Sequence, residues 1–354
     1  MEIRFSIYSL ILLIATSACG ITAPRSVPQP IPAIVTSSTS ELSITPQASP
    51  IPQPDTTPVQ PVIIPSSLQV IFVRDGNLWS WTEASGSVQL SKMGDISTTH
   101  LSEDGRMLAF LRGLEVWTVQ IDGTDARLLK TIENNGARLM FAPNNAFLAV
   151  STTDHIEVID LINMSSTVVV SYPAIPIGYY PEIIWTPDAL GFKTVIPPQS
   201  ETDQAEYLFV FPDGAVGSLA KFSMASLQAS LPYISPDGGY IIYVTNMEAD
   251  KQALFLMDSS GATRPYTEPA VSVRAYGWLT DPKQFVYGED STQRVYLGNV
   301  AGPPLEVGET FPVVVRWVDS SHYFSLENGE LVFGELDAGR LTIASNVQAF
   351  DFVP

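Results

Sequence analysis

From Leu68 onward the chain is written in short runs of β-branched, aromatic and other apolar residues, each bounded by Gly, Pro, Asn, Asp or Ser. Runs of this length between turn residues predict strands. Seven of them stand at Val70–Val73, Met107–Leu111, Phe147–Ser151, Gly191–Ile196, Tyr240–Thr245, Gln284–Gly288 and His322–Leu326. Each is followed by a second run, at Leu78–Trp81, Glu115–Ile121, Ile156–Leu161, Tyr207–Phe211, Ala253–Met257, Arg294–Leu297 and Glu330–Leu336. The loop after the second run is often rich in Asp and Gly, as in Asp122-Gly123-Thr124-Asp125 and Asp258-Ser259-Ser260-Gly261. A short further strand then closes each unit.

What precedes the first strand of each pair is also repeated. Ile234-Ser235-Pro236-Asp237-Gly238 runs directly into Tyr240–Thr245, and degraded relatives begin at Leu101, Phe141, Trp185, Trp278 and Trp317, with a truncated one at Phe352. Pro presets φ for a turn, Asp or Asn bonds back to the backbone, and Gly takes positive φ without steric cost. The large residue before the turn ends a strand and can wedge between neighbouring sheets, which contributes roughly 1.5–3 kcal/mol per buried side chain. The large residues recur at steps of 40, 44, 49, 44, 39 and 35 residues. A period near 40 with several short strands per repeat predicts a β-propeller. The expected fold is therefore all-β, a seven-bladed β-propeller of four-stranded blades. Blade one has no room for its own first strand before Val70. The missing strand is expected in Asn346–Val353, so the ring closes by the C-terminal strand pairing with the first blade, which removes free sheet edges.

The turn and its aliphatic strand resemble the TolB-type, WD-type propeller family, with Ser235-Pro236-Asp237-Gly238 as the full copy of the family's S-P-D-G turn. The resemblance covers residues 67–354. It implies the propeller fold; TolB's separate N-terminal domain has no counterpart here, so TolB's partners do not transfer.

Ahead of the repeats lie two further segments. Residues 1–18 read as an export signal: Arg4 is the positive charge and Phe5 to Ala15 is nearly all apolar, too short to span a bilayer. Ser17-Ala18-Cys19 resembles the end of a bacterial lipoprotein signal, which implies lipid attachment at Cys19; cleavage after Ala18 by an ordinary signal peptidase is the alternative. Cys19 is the one cysteine in the sequence, although an exported chain can use disulfides. Residues 19–66 hold many of the prolines together with Ser, Thr and Gln, a composition that cannot bury a core and predicts a disordered, partly polyproline-II tether. The expected address is outside a bacterial membrane, periplasmic or at the cell surface, with the membrane met through the lipid anchor only.

Composition narrows the partners. With 18 Lys and Arg against 37 Asp and Glu, the net charge is −19. Phosphate backbones and anionic lipid surfaces need cations to neutralise them, so nucleic acid is excluded as a partner. The chain is expected to act as a monomer.

Candidate chemistry is sparse. There is no G-x-S-x-G, no P-loop and no dinucleotide fingerprint, and His100, His155 and His322 are scattered without metal-ligand spacing. Asp122-Gly123-Thr124-Asp125 reads as a turn and not as a calcium loop. No cofactor, metal ligand or catalytic group is assigned. Polar residues beside the repeat anchors, His100, Arg138, Glu182, Arg274, Arg316 and Asp351, are the candidates to line the axial channel, where they either hold an anionic or zwitterionic small ligand through the three arginines or pair with one another and with water as structure. The longest loops on one face carry Tyr172, Tyr179, Tyr180, Glu201, Asp203, Glu206, Glu248 and Asp250, the candidates for a partner-binding face. Two functions stay open: a non-catalytic binding or scaffold module for an envelope protein or glycan, and an extracytoplasmic hydrolase or lyase, for example carbohydrate-active, with its site at the propeller mouth.

Overall fold

The computed structural model describes residues 64–353, apart from 66, 134–135, 176–177, 201–202, 228, 249, 290–291, 310–314 and 336–338. The export signal, Cys19 and nearly all of the tether therefore lie outside the described residues, as do Glu201, Leu336 and Pro354. The described residues contain 28 strands, numbered β1 to β28 in chain order, in seven four-stranded antiparallel sheets. The fold is a seven-bladed β-propeller.

Blade one is made of β28 (Val347–Val353), β1 (Gln69–Arg74), β2 (Asn77–Thr82) and β3 (Gly86–Gln89), in that order. Each later blade takes four consecutive strands. The strands that begin blades two to seven are β4 (Ile96–Leu101), β8 (Arg138–Phe141), β12 (Ile184–Trp185), β16 (Tyr233–Ile234), β20 (Val273–Trp278) and β24 (Val315–Trp317). Together with β28 they form the inner ring: β28 packs against β4, β4 against β8, β16 against β20, and β20 against β24. Closure is as the repeat register predicts. Val70 pairs with Phe352, Ile71 with Asp351 and Phe72 with Phe350.

The core is seven wedges between blades and not one central mass. Successive strand residues point to opposite sheet faces, so a strand buried on both faces serves two wedges. In β1, Val70 and Phe72 pack with Phe324 and Phe333 of blade seven, whereas Ile71 and Val73 pack with Leu101, Leu108 and Phe110 of blade two. The repeat anchors Leu101, Phe141, Trp185, Ile234, Trp278 and Trp317 are all buried. Two of the tryptophans also tie blades together: Trp185 Nε1 donates to Met140 O at 3.2 Å and Trp278 Nε1 to Tyr233 O at 3.0 Å.

The repeated turn works as its residues dictate. Ser235 Oγ donates to Asp237 Oδ1 at 2.6 Å, the same carboxylate accepts from Gly239 N at 2.8 Å, and Ser235 Oγ accepts from Tyr240 N at 2.9 Å. Ser102 and Asp104 reproduce this geometry in blade two, and Thr186 and Asp188 in blade four. Asp122 closes its own turn by accepting from Thr124 N and Thr124 Oγ1. Most predicted strand ends shift by a residue or two; the largest change is at Tyr207–Phe211, which is Ala205–Val210, its far end set where Phe211 N donates to Ala215 O and starts a turn.

Candidate functional site

The inner ring places charged side chains just ahead of the anchors, and the structure joins the expected channel residues into two separate groups. The first spans three consecutive blades at the closure. Asp351, on β28, is 1% exposed. Its Oδ2 accepts from Leu101 N and lies beside His100 Nδ1, both at 2.7 Å, and its Oδ1 pairs with Arg316 Nη1. Arg316 also donates to Phe350 O at 3.3 Å and lies over the Phe352 ring. Burial opposes the charge on Asp351, but Arg316, His100 and the Leu101 N–H outweigh it and hold the carboxyl far below the usual carboxylate range.

The second group repeats this logic on blades three to five. Glu182 Oε1 lies 3.3 Å from Arg138 Nη1, and its Oε2 accepts from Ile234 N at 3.2 Å. In each group an arginine of one blade holds a carboxylate of the next, and that carboxylate takes the backbone N–H of the following blade's anchor. Arg274 joins this side through Tyr233, whose phenol feels Glu182, Arg138 and Arg274 together. Burial, helped by Glu182, pushes the Tyr233 phenol up to about 12.

Tyr233 and the anchor N–H groups did not emerge from the sequence. The register held the signal for Tyr233, which directly precedes anchor Ile234 as His100 precedes Leu101 and Arg316 precedes Trp317. The N–H partners carried no signal, because every residue but proline has one.

The long loops lie together, since crossovers between blades bond to the turns joining second and third strands. Gly113 N donates to Asp95 O, Tyr172 N to Asp154 O, Ala225 N to Val244 O and Gln252 N to Ala270 O. On this face the tyrosines turn inward, contrary to the exposed rim their loop predicts. Tyr179 is buried, and burial pushes its phenol up. Tyr172 is half-buried, with its hydroxyl donating to Thr152 O at 2.9 Å and lying 3.1 Å from His155 O. Tyr180 is also half-buried and fills the space beside Gly136: a Cβ there would meet its hydroxyl at 2.0 Å. The acidic residues do reach solvent. Asp203, Glu248 and Asp250 are exposed, and Glu206 lies 3.6 Å from Lys221.

His155 and His322 cap turns, with Nδ1 at 2.7 Å from Asp154 Oδ1 and 2.8 Å from Asp319 Oδ2 respectively. Among the described residues no group of three or more His, Cys, Asp and Glu side chains is placed to hold a metal ion.

No protein-family model matches the chain, and no curated protein matches its sequence. Solved structures do resemble it. A functionally unknown protein from Desulfotomaculum acetoxidans aligns with a TM-score of 0.57 at 10% identity, covering 81% of this chain and 99% of that one. An oligogalacturonate lyase from Vibrio parahaemolyticus aligns at 0.54 and 13% identity, covering 78% and 85%. TolB from Acinetobacter baumannii aligns at 0.43 and 13% identity, covering 69% and 65%. Likeness at such identities concerns the fold alone, which hosts many unrelated functions.

Proposed function

We propose that this chain is a non-catalytic binding or scaffold module, exported and held to the outside of a membrane through Cys19, that recognises an envelope protein or glycan. The observation that carries this reading is the commitment of the inner-ring carboxylates. Asp351 and Glu182 are each engaged by an arginine and by a backbone N–H of the next blade. A general acid or base needs a carboxyl free to exchange a proton with substrate, and these two are occupied in holding blades together. The recognition surface is the loop face, where Asp203, Glu248 and Asp250 project from turns on a rigid scaffold. Carboxylates at a rim govern encounter rate and partner choice more than raw affinity.

The test is capture from envelope extract by the full chain, set against Asp203→Asn/Glu248→Gln/Asp250→Asn. The triple variant is expected to recover its specific partner about tenfold less efficiently, with the deficit largest at low salt. Equal recovery of every partner by both forms would overturn the assignment of the loop face.

A further inference from the structure

Each blade ends in an outer strand with one unpaired edge, and such edges invite pairing with other chains unless they are blunted. Six of the seven are blunted by a recognisable device. β3 has four residues, and β19 (Thr263–Pro265) has three, one of them proline. β7 (Arg127–Thr131) carries Arg127, its Lys130 being turned to the buried Glu157 and, at 3.5 Å, to Ser166 of blade three; β15 (Val216–Phe222) carries Lys221, and β27 (Arg340–Ala344) carries Arg340. β23 (Gly302–Glu309) contains Pro303, Pro304 and Glu306. The exception is β11 (Ser165–Ser171), on blade three. Its sequence, Ser-Ser-Thr-Val-Val-Val-Ser, has no charge, no proline and no glycine over seven residues.

Exposed apolar side chains stand on other outer strands too, Val88, Leu128, Val216, Leu305 and Leu341 among them; what β11 adds is an apolar approach. Val168 is 50% exposed, and the turn leading into the strand presents Ile162 at 76% and Met164 at 51%. A bulge displaces Val169, but β7, β15, β23 and β27 are bulged too, so it does not set β11 apart.

We propose that the outer edge of β11 is a docking site for an extended segment of another protein, which adds to blade three as a fifth strand. A row of backbone N–H and C=O groups is complemented by another extended backbone, and the side chains flanking it select the partner. Charge decides the kind of partner. A second copy of this chain brings another −19 against the first, and the two ends of the edge are acidic, with Asp160 opposite Ser165 and Asp154 adjoining His155, which stands opposite Ser171, so the fitting segment is uncharged at its centre and basic at its flanks. The inference rests on the reading of the chain as a binding module but places this contact away from the acidic loops, so the two can fail separately.

The probe is a synthetic peptide copying Ser165–Ser171 with a lysine added at each end, followed by hydrogen exchange of the full chain. Slowed exchange confined to residues 165–171 is expected. In Val168→Lys, at a half-exposed position, the peptide should bind about tenfold more weakly, and Ser165→Lys serves as a second variant should the first fail to melt like the parent. Val216→Lys, on β15, should leave binding unchanged. The proposal is overturned by absence of protection at 165–171, by equal protection in the lysine variants, or by protection spread over all outer strands. Sedimentation as a dimer that Val168→Lys abolishes would overturn the choice of a foreign segment over a second copy. If only the acidic-loop triple variant loses the envelope partner while peptide binding persists, both readings stand.

Discussion

Asp351 is one residue on which three blades converge. It answers a backbone N–H, a histidine and an arginine at once, and it is buried. Replacing it with asparagine keeps an acceptor for Leu101 N but removes the charge that Arg316 and His100 face. The expected cost is on the order of 2 kcal/mol, less than for breaking a fully buried pair, because the Arg316 side chain stays partly in solvent. The pH dependence has a definite sign. The folded carboxyl titrates below its unfolded value of about 3.9, so its stabilisation is present above about pH 4 and fades as pH falls toward the folded value. Thermal melts of Asp351→Asn should therefore lie below the parent near neutrality and converge with it in acid. A constant gap down to about pH 2 would show that the charge is not the source.

At the scale of elements, β28 is the piece whose removal reaches furthest. It supplies the first strand of blade one, pairs along β1, and contributes Val347 and Phe350 to the wedge against blade seven and Ala349 and Val353 to the wedge against blade two. Without it, β1 becomes an inner edge, Arg316 and His100 lose their carboxylate, and two of seven wedges open. Deleting Asn346–Pro354 should abolish the cooperative melting transition. A truncated chain that melts like the parent would show that the ring does not depend on its closing strand. The short inner strands make the same point from the other side: β12 and β16 are two residues each, and cross-blade bonds at Trp185 Nε1, at Glu182 to Ile234 N and at Trp278 Nε1 compensate for so little pairing.

The propeller is a ring whose first and last strands begin and end at one place: Gln69 pairs with Val353. That place is on the face opposite the long loops, since β28 runs from the crossover at Asn346 toward Val353. If Cys19 carries the anchor, Cys19→Ser should lose incorporation of a labelled fatty acid and move the chain from the membrane fraction to the soluble one. Two or more acyl chains bind a bilayer stably where none would. Unchanged fractionation without label in the parent would assign the export signal to ordinary cleavage.

The repeat alone determined the blade count, the strand order within each blade and the closing role of the last residues. Those features follow from local turn chemistry and from two-residue alternation, which each repeat restates within about 40 residues. The sequence also placed His100, Arg138, Glu182, Arg274, Arg316 and Asp351 near the inner ring, because polar residues next to a buried anchor have few other places to go. Only the tertiary structure decided who meets whom. Asp351 and Leu101 lie 250 positions apart, and nothing in either neighbourhood encodes the other until the ring is shut. The inward turn of Tyr172 and Tyr179 belongs there as well, since whether a loop aromatic faces water depends on the cavity that neighbouring blades leave for it. So does the exceptional edge of β11: an uncharged run of seven residues gains its meaning from being outermost, and that position exists once the blade has formed.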